Sequence, residues 1–437
     1  MQKISDSDFS PSFSQEFARA IYTLLLHLLV PLALLSLIIK ALTRSFDYNQ
    51  RKRERFGFIA KPERTGGILL HCVSVGEVVA ASEIIKAIRS KQPDINVTIT
   101  TTTPTGSQRV KDIFADTVQH YYLPYDLPWA VARFVRKIRP DTVMIAEVEL
   151  WPNFIHYCWR KRIPTYIVNG RMTDKSARNY AKFSALFTPM LHKLTGVSAQ
   201  GQRDFDNYIS LGQPQNRLYL SNNIKFDHQL TQQDLDTLGS LRAQLQLDNK
   251  KVILGGSTHD PEEQMLINSY LAIKPNCPDL LLVIVPRHPQ RFDKVYKLCN
   301  KHALSTVRLS QNQAVSDETD VVIADAMGIL KASYGLADVT FVGGSFADKG
   351  GHNALEAALH CIPSIMGPHI YNNPTIFDAL QSVDALHIAH DQATLTQLLR
   401  ERIQDANLAY SEGKAGKDVV EENAGALQKT LEIIGYA

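Results

Sequence analysis

The sequence predicts an α/β protein with two domains, each built on a parallel β-sheet. Short apolar runs alternate with helical patterns from about residue 67 onward, and after a polar interruption the same alternation begins again near residue 251. Such alternation is typical of parallel sheets that helices cover on both faces. The length of 437 residues also suits two domains of roughly 100–200 residues each.

The composition is that of a globular protein and excludes several other classes. Hydrophobic residues make up 44% of the chain and charged residues 21%, which is enough apolar material for two cores and argues against disorder. The net charge of +3 is too small to indicate a nucleic-acid-binding protein. The five cysteines form no CxxC pair, so they favour a reducing compartment and argue against a structural zinc site.

The first predicted element is an N-terminal tail and membrane anchor over residues 1–45. The segment Ile21–Ile39 carries no formal charge, and its length approaches the about 20 residues that cross a hydrocarbon core. A buried helix of a soluble core is the alternative. Because cytoplasmic flanks are rich in Lys and Arg, the basic cluster after the segment predicts that the rest of the chain is cytoplasmic. That cluster comprises Lys40, Arg44, Arg51, Lys52, Arg53 and Arg55.

The first α/β domain is predicted over residues 46–228. Its expected strands are Ile68–Val75, Val97–Thr102, Thr142–Ala146, Thr165–Val168 and Gly196–Ala199, and its clearest helices are Glu77–Ser90, Ala130–Ile138 and Phe154–Arg162. A polar interdomain linker with helical character is predicted over 229–250, followed by the second α/β domain over 251–437, whose last helix could pack back on the first domain. The expected strands there are Val252–Leu254, Leu281–Val285, Val321–Ala324, Val339–Val342 and Ser364–Met366. Two such domains predict a central cleft, with ligands at the carboxyl ends of the strands.

Glu77 is the first candidate for chemistry, because it opens the helix that follows the first predicted strand. A carboxylate at that position can act as a general base toward a substrate hydroxyl. The dipole of the helix would tend to keep it ionised. The alternative is an ordinary acidic residue in a first helical turn. No GxGxxG motif occurs here, which weakens a dinucleotide-binding interpretation.

Two further groups of polar residues follow predicted strands in the first half. Glu147 and Glu149 come at the end of a buried strand, where carboxylates cost free energy unless they are solvated or used, and strand alternation would put both on one side. Lys225 stands between apolar residues and could meet a negative centre, although a lysine at a strand edge would look the same. The threonine-rich turn Thr100–Gly106 could hold a phosphate with low specificity.

In the second half, the run Gly350–Ala357 predicts a nucleotide site. Together with the preceding glycine loop Gly343–Ser345, its backbone N–H groups could approach a phosphate, assisted by a helix start. Asn353 and Glu356 lie one turn apart, and Glu356 could bind a ribose. The alternative is that Asn353 caps the helix and Glu356 closes a capping box.

Arg287 and neighbouring strand ends strengthen the case for a phosphate-bearing ligand. Pro286 and Pro289 stand on either side of Arg287 and His288. They restrict the backbone there and could aim Arg287 at a phosphate or carboxylate. Four predicted strand ends of the second half carry Gly, Arg, His or Asn. No metal constellation stands out in the sequence, and the DxD-like pair Asp204 and Asp206 is interpreted as solvated surface.

With these segments in order, the chain resembles the 3-deoxy-D-manno-oct-2-ulosonic acid (Kdo) transferases of lipopolysaccharide synthesis. The similarity runs from the anchor almost to the end of the chain. The matching segments are SVGE at Ser74–Glu77, TPTG at Thr103–Gly106, YLPYDLP at Tyr122–Pro128, ELWPN at Glu149–Asn153, NIKFD at Asn223–Asp227, PRHPQRF at Pro286–Phe292, FVGGS at Phe341–Ser345, GGHN at Gly350–Asn353 and MGPH at Met366–His369.

The resemblance implies a GT-B glycosyltransferase fold, with two Rossmann-like domains facing a central cleft and an N-terminal membrane helix. It implies an inverting enzyme that moves Kdo from CMP-Kdo to the 6'-hydroxyl of a tetraacylated, bisphosphorylated lipid A precursor (lipid IVA) and releases CMP. Glu77 matches the general base of the family, and Glu147 and Lys225 match residues that support the transition state. The positions that match the CMP-binding segments are Pro286, Arg287, Met327, Gly328, Ile329, Asn353, Ala354, Leu355 and Glu356.

The chain departs from the family pattern at two of these segments. Ile329 stands where the family usually carries an acidic residue, so a polar contact from that side chain to CMP is lost. Ala354 and Ala357 replace two prolines, which loosens the turn but keeps Asn353 and Glu356.

The resemblance also implies partners and a location. The expected partners are CMP-Kdo, the lipid A precursor and membrane phospholipid, with no nucleic acid, no cofactor and no metal. The expected location is the inner membrane, with the catalytic domains on its cytoplasmic face. A nucleotide-sugar epimerase of similar fold and a non-catalytic membrane-bound scaffold are the alternative functions.

Overall fold

The computed structural model describes residues 9–43, 51–247, 249–312 and 315–437, and side chains are described only up to Leu32 in the first of these ranges. The chain divides into two compact units. Unit 1 comprises Met1–Lys225 together with Gly425–Ala437, and unit 2 comprises Phe226–Ala424. The predicted limit between residues 45 and 46 lies outside the described residues.

Unit 1 contains a seven-stranded sheet in the order β3-β2-β1-β4-β5-β6-β7, and every neighbouring pair is parallel. This confirms the predicted parallel α/β architecture. The order reverses between β1 and β4, and open α/β sheets bind ligands at such a point. The strands are β1 Ile68–His71, β2 Val97–Thr101, β3 Gln119–Tyr122, β4 Thr142–Ala146, β5 Thr165–Gly170, β6 Gly196–Ala199 and β7 Leu218–Leu220.

The helices of unit 1 cover both faces of this sheet and bury two apolar clusters. One cluster packs around Phe134 and Phe154, and the other around Ile84 and Ile85. The helices are α1 Phe13–Thr43, α2 Val75–Lys91, α3 Pro104–Phe114, α4 Pro128–Ile138, α5 Pro152–Arg160, α6 Asp174–Ala181, α7 Ser184–Leu191, α8 Gln202–Ser210 and, from the C-terminal segment, α17 Ala426–Ile434.

The C-terminal helix α17 completes the core of unit 1. Ala426, Leu431 and Ile434 are buried in the cluster beside β1. Ser198 Oγ on β6 and Thr430 Oγ1 on α17 are 3.2 Å apart and fully buried. The last helix therefore packs on the N-terminal α/β unit.

Unit 2 repeats the architecture with a different strand order, β10-β11-β9-β8-β12-β13-β14, again parallel throughout. The order reverses between β8 and β12. The strands are β8 Lys251–Thr258, β9 Leu280–Pro286, β10 Thr306–Arg308, β11 Val321–Ile323, β12 Val339–Val342, β13 Ser364–Met366 and β14 Leu386–Ile388. The helices are α9 Gln232–Leu245, α10 Glu262–Ile273, α11 Phe292–Lys301, α12 Leu330–Ser333, α13 Leu355–Ala358, α14 Pro374–Gln381, α15 Gln392–Gln404 and α16 Ala406–Asn423.

The segment expected to link the domains, residues 229–250, lies within unit 2. A capping box between Thr231 and Asp234 starts its helix α9. Leu238, Leu241 and Leu245 on one face of α9 are buried in a core cluster beside β8. The apolar i, i+3, i+7 spacing of these leucines explains why a polar sequence packs as a core helix.

Helix α1 is amphipathic over its described side chains and packs on unit 1 through its polar face. Tyr22 Oη donates to Asp126 at 3.0 Å, and Arg19 Nη1 donates to Asn153 Oδ1 at 3.1 Å. Lys193 Nζ lies 3.3 Å from Glu16 Oε1. The other face presents a stripe of exposed apolar residues: Phe13, Phe17, Ile21, Leu24, Leu25, Leu28, Leu29 and Leu32.

The predicted anchor Ile21–Ile39 falls within α1, and its side chains after Leu32 lie outside the described residues, as do those of Lys40 and Arg44 in the basic cluster. Among the helices as described, none combines the length and the apolar character that crossing a bilayer requires.

Two other residues of the basic cluster, Arg51 and Arg55, make contacts inside unit 1. The guanidinium groups of Arg51 and Arg55 lie 4.7 and 4.4 Å from the ring centre of Tyr122. Arg51 also forms an ion pair with Glu54 at 2.8 Å. Arg53 is exposed.

Candidate functional site

Glu77 lies in the first turn of α2, directly after β1, and it is 8% exposed. Its carboxylate accepts hydrogen bonds from Val73 N at 2.7 Å and Ser74 N at 3.2 Å, while Ser74 Oγ accepts from Glu77 N at 3.3 Å. This reciprocal pair is a capping box. The alternative of an ordinary acidic residue in a first helical turn accounts for these hydrogen bonds, and the side chain also stands at the reversal of the strand order.

Burial raises the pKa of Glu77 to about 7, and the charges of Glu147 and Glu149 add to the shift. The hydrogen bonds from Val73 and Ser74 oppose it. The sequence prediction that the helix dipole keeps this carboxylate ionised is thus incomplete, because loss of hydration outweighs the favourable N-terminal position. A carboxylate with a pKa near 7 is well suited to accept a proton at neutral pH.

Glu147 follows β4 in a turn, with a φ of 55°. Its N–H donates to Val168 O on β5 at 3.1 Å, which fixes the turn. The strand alternation on which the prediction for Glu147 and Glu149 depended does not extend to them, because β4 ends at Ala146 and the backbone turns at Glu147. Glu149 instead accepts a hydrogen bond from Trp151 Nε1 at 3.0 Å, and burial raises its pKa.

Lys225 lies in the 3₁₀ turn Ile224–Asp227, just beyond β7. Burial lowers the pKa of its ammonium, and the charges of Glu147 and Glu77 oppose that shift. The structure therefore brings the three predicted catalytic side chains of unit 1 within electrostatic reach of one another, at the carboxyl edge of its sheet.

A network of buried amides that the sequence analysis did not identify holds the turn that carries Lys225. Asn169 Oδ1 accepts from Ile224 N at 3.0 Å, and Asn223 Oδ1 accepts from Lys225 N at 3.1 Å. Gln200 joins the two asparagines through bonds of 2.8 and 2.9 Å. Asn169 lies in β5, Gln200 follows β6 and Asn223 follows β7, so only the fold brings them together.

In unit 2, the predicted CMP-binding residues lie at the ends of three strands. Pro286 ends β9 and Arg287 follows it, Met327–Ile329 follow β11, and Asn353–Glu356 follow β12. Met327 is 62% exposed, and Gly328 has a φ of 83°. Asp325 fixes the Met327 loop by accepting bonds from Arg308 Nε at 2.7 Å and Ser310 N at 2.8 Å.

Asn353 and Glu356 do not form the alternative capping box. The helix α13 is only four residues long, its N-cap is Ala354, and no side chain caps it. Asn353 Oδ1 accepts from Leu355 N at 3.2 Å. Burial raises the pKa of Glu356, while Lys331, a hydrogen bond from Asn353 and the charge of Arg287 oppose the shift. Ala354 and Leu355 are fully buried.

The first glycine loop does not present free N–H groups to a phosphate, which corrects the sequence expectation. The buried carboxylate of Glu262, at the start of α10, accepts from Gly344 N, Ser345 N and Phe346 N at 2.8–2.9 Å. It also accepts from His259 N at 2.9 Å. An internal carboxylate therefore occupies the anion nest of this loop, and nothing in the local sequence of Glu262 indicated that role.

The DxD-like segment is also not the solvated surface that the sequence suggested. Asp204 is fully buried and accepts a hydrogen bond from Met172 N at 2.7 Å, whereas Asp206 is exposed. Across the described parts of the chain, no group of three or more His, Cys, Asp or Glu side chains is arranged to hold a metal ion.

Comparisons with known proteins identify relatives of this chain. The family model described as 3-deoxy-D-manno-octulosonic-acid transferase (kdotransferase) matches residues 50–228. A 3-deoxy-D-manno-octulosonic acid transferase of Haemophilus influenzae is 37% identical over 419 residues, which cover 95% of this chain and 98% of that protein.

Two solved structures share the fold at low identity. The UDP-GlcNAc 2-epimerase of Neisseria meningitidis has a TM-score of 0.52 and 12% identity, covering 83% of this chain and 99% of its own. A glycosyltransferase of Rickettsia africae has a TM-score of 0.51 and 14% identity, covering 85% and 99%. At these identities the likeness concerns the fold alone, which is GT-B-like with two parallel-sheet α/β domains.

Proposed function

Because the chain belongs to the 3-deoxy-D-manno-octulosonic acid (Kdo) transferases, we propose that it moves Kdo from CMP-Kdo to the 6'-hydroxyl of lipid IVA. Lipid IVA, the tetraacylated, bisphosphorylated precursor of lipid A, is the acceptor that the resemblance to this family implies. The reaction inverts the anomeric carbon and releases CMP. The single observation that carries this proposal is the buried carboxylate of Glu77, which lies at the reversal of the unit 1 strand order and has a pKa near 7.

Glu77 acts as the general base in this proposal. Its carboxylate takes the proton of the acceptor's primary hydroxyl while the oxygen forms a bond to the anomeric carbon of Kdo. The bond from that carbon to the phosphate oxygen breaks at the same time, and CMP leaves with the electron pair. The attack comes from the face opposite to CMP, so the configuration inverts.

Glu147 and Lys225 support the transition state. The ammonium of Lys225 can stabilise negative charge that develops during transfer. Burial lowers the pKa of this ammonium, and the charge of Glu147 opposes that shift and so favours the charged form. The amides of Asn169, Gln200 and Asn223 position the turn that presents Lys225.

Unit 2 holds the CMP half of the donor. Arg287 offers a guanidinium to the phosphate. Glu356 can bind a ribose hydroxyl. The Met327–Ile329 loop supplies backbone groups and an apolar surface. The side chain of Ile329 makes no polar contact with CMP. The nucleotide leaving group is thus stabilised by protein cations, and the proposal needs no cofactor or metal ion.

The direct test incubates the full chain with CMP-Kdo and lipid IVA and follows the lipid by mass spectrometry. The expected product is lipid IVA heavier by Kdo, with release of CMP in proportion. An epimerase would change the donor without changing the lipid, and a scaffold would change neither, so either result would refute the transferase proposal.

The apolar stripe of α1 supports a location at the cytoplasmic face of the inner membrane. Leucines such as Leu24 and Leu28 are 60% and 64% exposed, while the opposite face of the helix is bonded to unit 1. A helix with these two faces suits the interface of a bilayer, where the apolar side enters the acyl boundary. The acceptor is a membrane lipid, so this location also raises its effective concentration at the enzyme.

Replacing Leu24 and Leu28 together with glutamine should weaken binding of the full chain to phospholipid vesicles by about tenfold or more, since burying one leucine contributes on the order of 1.5 kcal/mol. Co-sedimentation with phosphatidylglycerol-containing vesicles measures the effect. The matched control replaces the exposed leucines Leu235 and Leu271 of unit 2. Equal vesicle binding by both double variants would contradict the membrane role of α1.

The pKa of Glu77 predicts the pH dependence of the reaction. The base is active only when ionised, so kcat/KM should fall tenfold per pH unit below about pH 7 and level off above it. Glu149→Gln removes a negative charge that raises this pKa, so the acidic limb should move to lower pH. Glu83→Gln, on the half-exposed side of α2, should leave the profile unchanged. A flat profile between pH 5.5 and 8 would exclude Glu77 as the titrating base.

A further inference from the structure

Two histidines of unit 2 form a close pair to which the transferase proposal gives no role. His259 Nε2 and His352 Nε2 are 2.9 Å apart, and the two rings are stacked with centres 5.2 Å apart. The ring of His288 lies 5.4 Å from that of His259, edge to face. One ring nitrogen of the pair must donate and the other accept, so the pair shares a single proton when both rings are neutral.

The pair lies at the point where the strand order of unit 2 reverses. His259 directly follows β8, and His352 ends the loop that follows β12. These two strands are neighbours in the sheet. The site is thus the place where an open parallel sheet binds its ligand, and it adjoins Arg287, whose charge acts on both rings.

Three cationic side chains act on the pair. Burial lowers the pKa of both histidines to about 4, and the cationic side chains around them add to the shift. These side chains are Arg287, Arg291 and Lys349.

The neighbouring carboxylates do not balance this charge. Glu262 is bonded to the amides of the glycine loop, and Glu263 is paired with Arg291 at 2.8 Å. In the described parts of unit 2, neither histidine of the pair has an ion-pair partner. A half-buried site with excess positive charge and imidazole donors favours an anion.

The glycine loop is shaped to admit the ring of His352. Gly344 has a φ of 74°, and a Cβ at this position would lie 2.8 Å from His352 Cδ2 and 2.9 Å from its Nε2. Only glycine at this position leaves the ring room to reach His259. The backbone of the glycine loop, which Glu262 holds in place, therefore permits the contact between His352 and His259.

We propose that His259 and His352 bind the carboxylate of the sugar acid in the donor. This assignment rests on the transferase function proposed above. In a nucleotide-activated 2-keto sugar acid, the carbon that bears the phosphate also bears the carboxylate, so a site for the carboxylate has to adjoin the phosphate site. Arg287 serves the phosphate, and the histidine pair next to it supplies a ring N–H donor for the second anion, because the ring that accepts at Nε2 carries its proton on Nδ1. The pair thereby selects a sugar acid over a neutral sugar.

His352→Gln and His259→Gln test the assignment in the full chain. Each should raise KM for CMP-Kdo roughly tenfold, as expected for loss of a hydrogen bond to a charged group, and should change Ki for CMP as a competitive inhibitor less than twofold. His390→Gln, at an exposed histidine of the same unit, is the matched control. Thermal melting of each variant shows whether it remains folded.

Calorimetry of the unaltered protein supplies a measurement that needs no variant. A carboxylate beside the pair favours its protonated form, so CMP-Kdo should bind with more proton uptake than CMP at pH 5, close to the pKa of about 4 that both rings have without ligand. Titrations of each ligand, without acceptor, in two buffers of different ionisation enthalpy give the uptake. The titratable and charged groups around the pair are Arg287, His288, Arg291, Lys349 and Glu262.

Each outcome decides the question. A KM unchanged in both variants, or a Ki for CMP that rises as much as KM, would overturn the carboxylate assignment, as would equal proton uptake with CMP and CMP-Kdo. In these cases the wild-type protein still converts lipid IVA, so the transferase proposal stands. If the wild-type protein transfers no Kdo, the transferase proposal fails instead.

Discussion

Glu77→Gln should lower kcat by roughly 10²- to 10⁴-fold, the range that a positioned general base contributes. Glutamine keeps the size of the side chain and can still accept a hydrogen bond from Val73 N or Ser74 N. It cannot accept a proton from the sugar hydroxyl. KM for CMP-Kdo should stay within about threefold, because the residues proposed for the donor belong to unit 2.

The control for this variant is Glu83→Gln on the same helix. Glu83 is half exposed, where it pairs with Lys86 and accepts a long hydrogen bond from Ser82 Oγ, so its removal should change neither kcat nor KM measurably. Single-turnover measurements with saturating donor separate the transfer step from product release. A Glu77→Gln enzyme that keeps more than a tenth of the wild-type single-turnover rate would rule out the base assignment.

Glu262→Ala should destabilise unit 2 by more than about 3 kcal/mol. The carboxylate is fully buried and accepts bonds from Gly344 N, Ser345 N and Phe346 N, and each buried donor left without a partner costs about 1–3 kcal/mol. The segment between β12 and α13, which begins with this glycine loop, also carries His352. KM for CMP-Kdo should therefore rise in any fraction of the protein that stays folded. Glu262→Gln keeps one acceptor oxygen and should lose less.

Urea unfolding, together with hydrogen exchange of the amides of residues 344–347, measures this effect. The matched control is Glu318→Ala, an exposed acidic residue of the same unit, for which both measurements should match the wild type. Protected amides and an unchanged midpoint in Glu262→Ala would mean that the carboxylate does not hold the glycine loop.

The sequence predicted the fold well where strands are long and apolar. The central strands of both sheets, such as β1, β4, β8 and β12, were all predicted, because buried parallel strands are continuous apolar runs. Four strands were missed: Gln119–Tyr122, Thr306–Arg308, Leu218–Leu220 and Leu386–Ile388. Each of these lies at an edge of its sheet, where short strands that are exposed on one side carry a weaker apolar pattern.

The local position of Glu77 was predictable, because a single short motif determines it. Glu77, with Ser74 three residues before it, stands in a local pattern that positions its carboxylate. The pairing of His259 with His352 spans 93 residues and depends on two strands being neighbours in the sheet. The occupation of the glycine loop by Glu262 depends on contacts with residues more than 80 positions away. Local sequence holds no information about such contacts.

The helix α17 has a consequence for any attempt to divide the molecule. Leu431 and Ile434 fill the same core as Ile68 and Ile99, although more than 300 residues separate them along the chain. A fragment that stops at residue 228, where the family match ends, would leave this apolar surface open to water. The smallest autonomous N-terminal module is therefore a discontinuous one, with residues 425–437 joined to the first half by a designed connection.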